Sequence, residues 1–195
     1  MPELPEVETV RSGLAVHITG NTFTRVKVLN ERSVRAHTGG ARDFSSQLKN
    51  ATIKCVSRRG KFLWMPLELA NTAKVEQKRF ALVGHLGMSG QMFLRKPSDE
   101  PDKLTRVVIS VETARGKVVE FRFIDQRIFG SLAIDELVAT ADGKPGGFTT
   151  TSASGKWWQN LCLAGGAELG STNWRALVGM DFVLKRTLSK IDESG

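Results

Sequence analysis

Three features of this 195-residue chain predict a mainly β fold, most simply a two-sheet β-sandwich with an N-terminal helix. Short stretches of alternating apolar and polar residues recur between positions 22 and 124, glycine-containing turns separate them, and one helical stripe precedes them all. A chain that is 41% hydrophobic at this length can bury one core, with a small appendage at most. Two packed sheets with the first helix laid against them satisfy that count of elements.

The helix comes first. Val7, Val10, Leu14 and Ile18 fall on one helical face, with Glu8, Arg11 and Ser12 elsewhere, and Pro5 suits a first turn, where its missing N–H costs nothing. Residues 22–29 then carry the alternating Val26 and Val28, and a basic, turn-rich stretch over 33–40 interrupts. Strands over 51–56 and 62–67 flank Arg58-Arg59-Gly60-Lys61, where Gly60 marks a bend or a close backbone approach. Strands over 80–85 and 91–94 flank Leu86-Gly87-Met88-Ser89-Gly90. Residues 106–111 and 118–124 read as a hairpin, with Val119, Phe121 and Phe123 inward and Glu120 and Arg122 outward. This organisation gives a domain over 1–138. Residues 139–173 hold seven glycines and a Thr-Thr-Thr-Ser-Ala-Ser-Gly run, a linker signature, and 174–195 is expected to form one helix.

Charge bounds the partner. Lys and Arg number 28 against 20 Asp and Glu, a net charge of +8 that favours a polyanion. Residues 1–138 hold 22 of the basic and 15 of the acidic side chains. Between Asp43 and Glu68 there is no acid, while Lys49, Lys54, Arg58, Arg59 and Lys61 are present, so this run is a candidate for phosphate contact. No stretch approaches membrane-spanning length, and the acidic N-terminus is unlike a secretory signal. A soluble, intracellular protein is therefore expected. Cys55 and Cys162 read as lone thiols suited to a reducing compartment, and two cysteines exclude a four-cysteine zinc site. His17, His37 and His85 have no metal-ligand spacing, so no cofactor is expected in this chain.

The opening Met1-Pro2-Glu3-Leu4-Pro5-Glu6 carries possible chemistry. Removal of Met1 would expose a secondary amine beside carboxylates, and an α-amino group titrates near ~8, so a usable fraction is uncharged at neutral pH. Taken alone, the hexapeptide reads first as an ordinary capped helix start and only second as a nucleophile.

Three segments in order change that weighting. Pro2-Glu3-Leu4-Pro5-Glu6-Val7-Glu8-Thr9, His85-Leu86-Gly87-Met88-Ser89-Gly90 and Asp125-Gln126-Arg127-Ile128-Phe129-Gly130, with Arg59-Gly60-Lys61 after the first, resemble the formamidopyrimidine-DNA glycosylases over about residues 2–135, their N-terminal catalytic domain. Leu4 is similar to the branch that excises oxidised purines, whereas the related endonuclease VIII branch usually has glycine there. The resemblance implies that Pro2 attacks the anomeric carbon of the sugar, that Glu3 is the general acid near the sugar oxygen, and that Glu6 supports the amine. It makes Lys61 and His85 contacts to the phosphates of damaged double-stranded DNA, with Arg59 beside them. Met88, Arg127 and Phe129 match a trio that enters the duplex and fills the gap left by an extruded nucleotide. Glu8 reads instead as stabilising the helix dipole. Ile128 stands where the family commonly has arginine, which removes one expected DNA contact.

The expected activity is base excision repair by a bifunctional glycosylase and abasic-site lyase acting on formamidopyrimidine and 8-oxoguanine. The chain would act as a monomer in a bacterial cytoplasm or nucleoid, or in a nucleus. Family members continue into a helix-two-turn-helix module and a four-cysteine zinc ribbon. This sequence has no tyrosine, two cysteines and neither module, so it reads as a truncated or frameshifted product or as a reduced variant with a divergent tail. The alternatives are a non-catalytic DNA-binding remnant and an inactive fragment.

Overall fold

The computed structural model describes residues 2–59, 61–69, 79–139 and 167–169. Helix α1 (Leu4–Ile18) leads into strand β1 (Thr22–Val28), a 3-10 turn (Glu31–Val34) and helix α2 (Gly40–Leu48). Eight strands follow before residue 140: β2 (Thr52–Ile53), β3 (Ser57–Arg59), β4 (Phe62–Glu68), β5 (Arg79–His85), β6 (Gly90–Arg95), β7 (Thr105–Glu112), β8 (Val118–Asp125) and β9 (Ser131–Ala139). A short β10 (Ala167–Leu169) pairs antiparallel with the end of β9. Of the stretch expected as linker, only Ala139 and these three residues are described. The helix expected over 174–195 lies outside the described residues.

The strands run in the order β10-β9-β5-β4-β2-β1-β7-β8-β6, with β3 pairing β4 off that path. The two-residue β2 is the hinge of this ladder, joined to β1 through Thr22 and Thr52 and to β4 through Thr52 and Ile53. About that hinge the half containing β4, β5 and β9 stacks on the half containing β1, β7, β8 and β6. Gly84 of β5 faces Met92 of β6 so closely that a Cβ there would sit 2.5 Å from the Met92 Cε. Phe23, Ile109, Phe121 and Phe123 from one half and Leu63, Met65, Leu82 and Leu132 from the other make one buried core, which α1 and α2 close with Val7, Leu14, Ile18, Phe44 and Leu48. The mainly β sandwich with its N-terminal helix is thus as expected.

Four details differ from the sequence reading. The inner face of α1 buries Arg11 with Val7, Leu14 and Ile18, while Val10 is only partly buried. Helix α2 follows the turn-rich stretch, over residues for which no element was expected; it buries only Phe44 and Leu48, one i,i+4 pair, which is too little for a recognisable stripe. Strand β9 was not expected because Asp135-Glu136 breaks its alternation. It pairs with all of β5, from Arg79 opposite Leu137 to His85 opposite Ser131. Arg122 points away from the main core as expected, yet it is 3% exposed. Its guanidinium is paired with Glu120 and donates to the carbonyls of Asp99 and Glu100 in the preceding loop.

The outer face of β4, β5 and β9 carries a second apolar cluster of Trp64, Ala81, Val83, Ala133 and Leu137, covered by Ala36 and Phe62. Strand β4 is therefore buried on both faces, which explains its nearly unbroken apolar run. The buried Cys55, read as a lone thiol, is disulfide-bonded, so the cysteines carry no argument about compartment. Among the described residues no helix is long and apolar enough to cross a membrane.

Candidate functional site

Glu3 is the N-cap of α1, in extended backbone, and Pro5 occupies the first turn. The Glu3 N–H donates to the Glu6 Oε2 at 3.0 Å, one half of a capping box, which folds the Glu6 carboxylate back over the Pro2–Glu3 peptide. Helical spacing sets Glu6, Thr9 and Val10 on one face, and with the half-buried Pro2 they form one wall of a cleft of about 470 Å³. Leu86, Met88 and Ser89 supply the opposite wall. Glu3 is exposed at the mouth of the helix, next to Pro2 in the chain. A secondary amine at Pro2 would thus have one carboxylate folded beside it and a second on the adjacent residue.

The turn after β5 and the turn after β8 are pressed together, and glycine makes that possible. Gly87 has φ +61°, and a Cβ there would sit 2.5 Å from the Gly130 nitrogen; at Gly130 one would sit 2.7 Å from the His85 carbonyl oxygen. The fully buried Asp125 ties the two turns. Its carboxylate accepts from Ser89 Oγ at 2.6 Å, from the Arg127 N–H at 3.1 Å and from the Gly130 N–H at 2.7 Å. Met88 and Phe129 then project together, 42% and 51% exposed, with Arg127 Nη1 3.7 Å from the Met88 sulfur. Large apolar side chains held on rigid turns and left exposed mark a surface built for contact.

At the other end of the cleft-forming turn, the charge of Lys61 acts on His85. Strand β3 pairs β4 with Arg59 opposite Phe62, and β4 pairs Phe62 with His85, whose rings lie 4.6 Å apart. The His85 Nδ1 accepts the Gly87 N–H at 3.1 Å, so the neutral ring carries its proton on Nε2 as a donor. Burial first, and then the charges of Lys61 and Arg35, hold the imidazole below its ordinary value of 6.5. The fold resists protonation here, so the stability His85 contributes is complete above pH 6.5 and falls as pH drops below it.

The basic run between Asp43 and Glu68 is less available than its composition suggested. Lys54 is ion-paired with Glu68, and Arg58 Nε bonds the Glu8 Oε2 at 2.7 Å. Glu8 also receives the buried Arg11 at 2.8 Å. Burial opposes ionisation of Glu8, but hydrogen bonds from Arg11 and Arg58 outweigh it and hold its pKa below the usual carboxylate value. Glu8 therefore anchors α1 to β3, a tertiary role beyond the helix dipole. Lys49 is exposed and Lys61 half-exposed; the Arg59 side chain lies outside the described residues.

The structure therefore brings Pro2, Glu6 and Met88 into one cleft, puts the Lys61 charge within reach of the His85 ring, and sets Met88 beside Arg127 on the turns that expose Met88 and Phe129. Sequence reasoning gave no role to Ser89 and Asp125, although both lie inside the quoted motifs, nor to Arg35. Among the described residues no group of three His, Cys, Asp or Glu side chains could hold a metal ion.

Residues 1–132 match the family model of the formamidopyrimidine-DNA glycosylase N-terminal domain. The chain belongs to this family. A formamidopyrimidine-DNA glycosylase of Leifsonia xyli is 44% identical over 153 residues, covering 78% of this chain and 49% of that protein. One from Streptomyces avermitilis is 42% identical over 145 residues, covering 74% and 46%. Among solved structures, the Lactococcus lactis enzyme in complex with abasic-site DNA superposes with a TM-score of 0.57 at 27% identity, covering 69% of this chain and 44% of that one. Its complex with DNA containing the formamidopyrimidine lesion FAPY-dG gives 0.56 at 28%, with the same coverage. The chain spans about half the length of the formamidopyrimidine-DNA glycosylases it matches.

Proposed function

We propose that this chain is the catalytic half of a DNA glycosylase with associated lyase activity, acting in base excision repair on oxidised purines such as formamidopyrimidine and 8-oxoguanine. The observation that carries this reading is the cleft in which Pro2 and Glu6 face Met88 across a gap, with Arg127 and Phe129 exposed on the adjoining turn. A nucleophilic amine at Pro2 would there share a cleft with side chains suited to occupying an emptied base position, which supports the reading.

After removal of Met1, the Pro2 nitrogen bonds to the anomeric carbon of an extruded nucleotide as the glycosidic bond breaks, and the proton that the attacking amine carries passes to the departing base. In the same excision step Glu3 gives a proton to the sugar ring oxygen, the bond from that oxygen to the anomeric carbon breaks, and the freed nitrogen lone pair forms an iminium. The iminium acidifies the neighbouring C–H; loss of that proton expels the 3′ phosphate and cuts the strand. Glu6, folded back on the Pro2–Glu3 peptide, holds the N-terminus in the cleft. Met88 and Phe129 fill the vacated space and the Arg127 guanidinium meets the orphaned partner base.

Lys61 and His85 hold the phosphates beside the lesion. Each neutralised phosphate contributes about −0.9 to the slope of log K against log salt. Because Lys54 and Arg58 are already ion-paired, that slope should be shallow. Lys61→Ala is expected to reduce it by about one unit, whereas Met88→Ala leaves it nearly unchanged and lowers only the capture of an extruded nucleotide. Equal slopes for the parent and Lys61→Ala, from binding titrations over a salt series, would remove Lys61 from the phosphate contacts.

A phosphate against the His85 Nε2 favours the protonated ring that the free fold disfavours, so binding takes up a proton. Affinity for abasic-site DNA is therefore expected to rise as pH falls through the interval between the bound and the free values, the free one lying below 6.5. Above that interval it is flat. His85→Gln should abolish the rise; an identical pH profile for both proteins would place His85 away from the phosphate.

The decisive experiment is borohydride trapping of a covalent protein–DNA complex on abasic-site DNA. Salt-dependent binding without trapping would leave a DNA-binding remnant in place of an enzyme.

A further inference from the structure

We propose that Arg35 is the positioning residue that holds the turn after β8 in the shape in which Arg127 and Phe129 can enter a duplex. The inference rests on the glycosylase reading above and concerns how the free protein prepares that turn.

Turn 126–130 gives N–H groups to Asp125 and Ser89 on one side and carbonyls to a single arginine on the other. The buried Asp125 takes the N–H groups of Arg127 and Gly130. On the opposite side the Arg35 guanidinium takes the carbonyls. Its Nη2 donates to the Phe129 oxygen at 2.9 Å, and its Nη1 is shared between the oxygens of Ile128 at 3.2 Å, Gly130 at 3.1 Å and Arg32 at 2.8 Å. Three consecutive carbonyls of the turn therefore converge on one side chain more than ninety residues earlier in the chain. Arg35 itself is fixed by the 3-10 turn it closes, where Asn30 caps the Arg32 N–H at 3.0 Å.

The turn needs such a holder. Ile128 has φ +56°, a left-handed conformation that a β-branched side chain rarely adopts and that persists only when surrounding contacts impose it. Phe129 is half-exposed, so packing does little to restrain it. A wedge that must part stacked bases works only if its backbone does not fold away under load, and pre-organisation removes the cost of ordering it on binding. Only the planar fork of arginine can serve several carbonyls together; a lysine ammonium keeps the charge without the fork.

The test uses the full chain with Met1 removed and a duplex bearing a tetrahydrofuran abasic analogue with 2-aminopurine as the neighbouring base. Fluorescence at saturating protein reports unstacking, and a salt series reports phosphate contacts. Arg35→Ala and Arg35→Lys are both expected to lose about tenfold in the insertion equilibrium, as for hydrogen bonds from a charged group, with an unchanged salt slope. In the free protein, Arg35→Ala should speed hydrogen exchange at the Arg127 and Gly130 amides.

Insertion equal to the parent in Arg35→Ala, unchanged exchange at those amides, or full retention of insertion by Arg35→Lys would each overturn the proposal. So would a slope reduced by about one unit with insertion intact, which would make Arg35 a phosphate contact. If the parent itself gives no fluorescence rise, it is the glycosylase reading that fails. The exchange measurement then still shows whether Arg35 holds the turn.

Discussion

Borohydride is expected to trap the processed chain covalently on abasic-site DNA, and a few residues added before Pro2 are expected to abolish that trapping. The effect should be all or none. While Met1 is attached, the Pro2 nitrogen is a tertiary amide with no proton and no basic lone pair. Once freed it is a secondary amine whose ordinary pKa near ~8 leaves a usable neutral fraction at pH 7. It would then sit in the cleft opposite Met88 and Ser89, with the Glu6 carboxylate folded beside it by the 3.0 Å bond to the Glu3 N–H. An iminium formed there is reduced to a stable amine that joins protein to DNA, read as a shifted band on a denaturing gel. Equal trapping by a chain with a blocked N-terminus would assign the chemistry to a lysine, with the half-exposed Lys61 the first to test.

The second large effect separates base excision from the lyase step. Glu3→Gln is expected to slow excision of an oxidised purine by ~10²–10⁴-fold, the usual contribution of a positioned general acid. Trapping at a preformed abasic site should remain detectable, because no base has to depart there and part of the abasic sugar is already the open aldehyde, which needs no proton on the ring oxygen. Single-turnover rates on lesion-bearing and abasic duplexes give the two numbers from one protein preparation. Fold loss does not confuse the result at an exposed N-cap position: glutamine retains an acceptor oxygen, and a lost cap costs only ~1 kcal/mol. If both rates were unchanged, Glu3 would be a helix-start residue and nothing more.

Much of the candidate site was legible in the chain because it depends on residue type in short, local order. Pro2 can be a terminal amine only by being second, and Met88 and Phe129 sit at tips because glycines flank them. The strands with clear alternation, β7 and β8 above all, were legible for the same reason. What escaped has a common cause. Helix α2 has one apolar pair, β9 has a broken alternation, and both are held by partners distant in sequence: β5 for β9, and for α2 the strand β9, reached through the His37 ring, which bonds Asp43 at 2.7 Å while its Nδ1 accepts the Ile134 N–H.

Composition also misled in one respect. A run of five cations without an acid looked like a free phosphate track, but pairing is decided by which strand lies beside which helix. Packing α1 on β3 gives Arg58 to Glu8, and pairing β2 with β4 gives Lys54 to Glu68.

By itself, then, the sequence determined the mainly β class, the N-terminal helix, the family resemblance and the identities of the candidate nucleophile, acid and wedge residues, since each is a local pattern of residue types. Only the tertiary structure decided which of them face one another. The closeness of Pro2 to Met88, the sharing of Asp125 between two turns and the grip of Arg35 on three carbonyls depend on stacking two halves of a sheet about a two-residue hinge. Hydrogen bonds between residues 36 to 95 positions apart are set by that stacking, and no periodicity in a linear chain encodes a contact made across it.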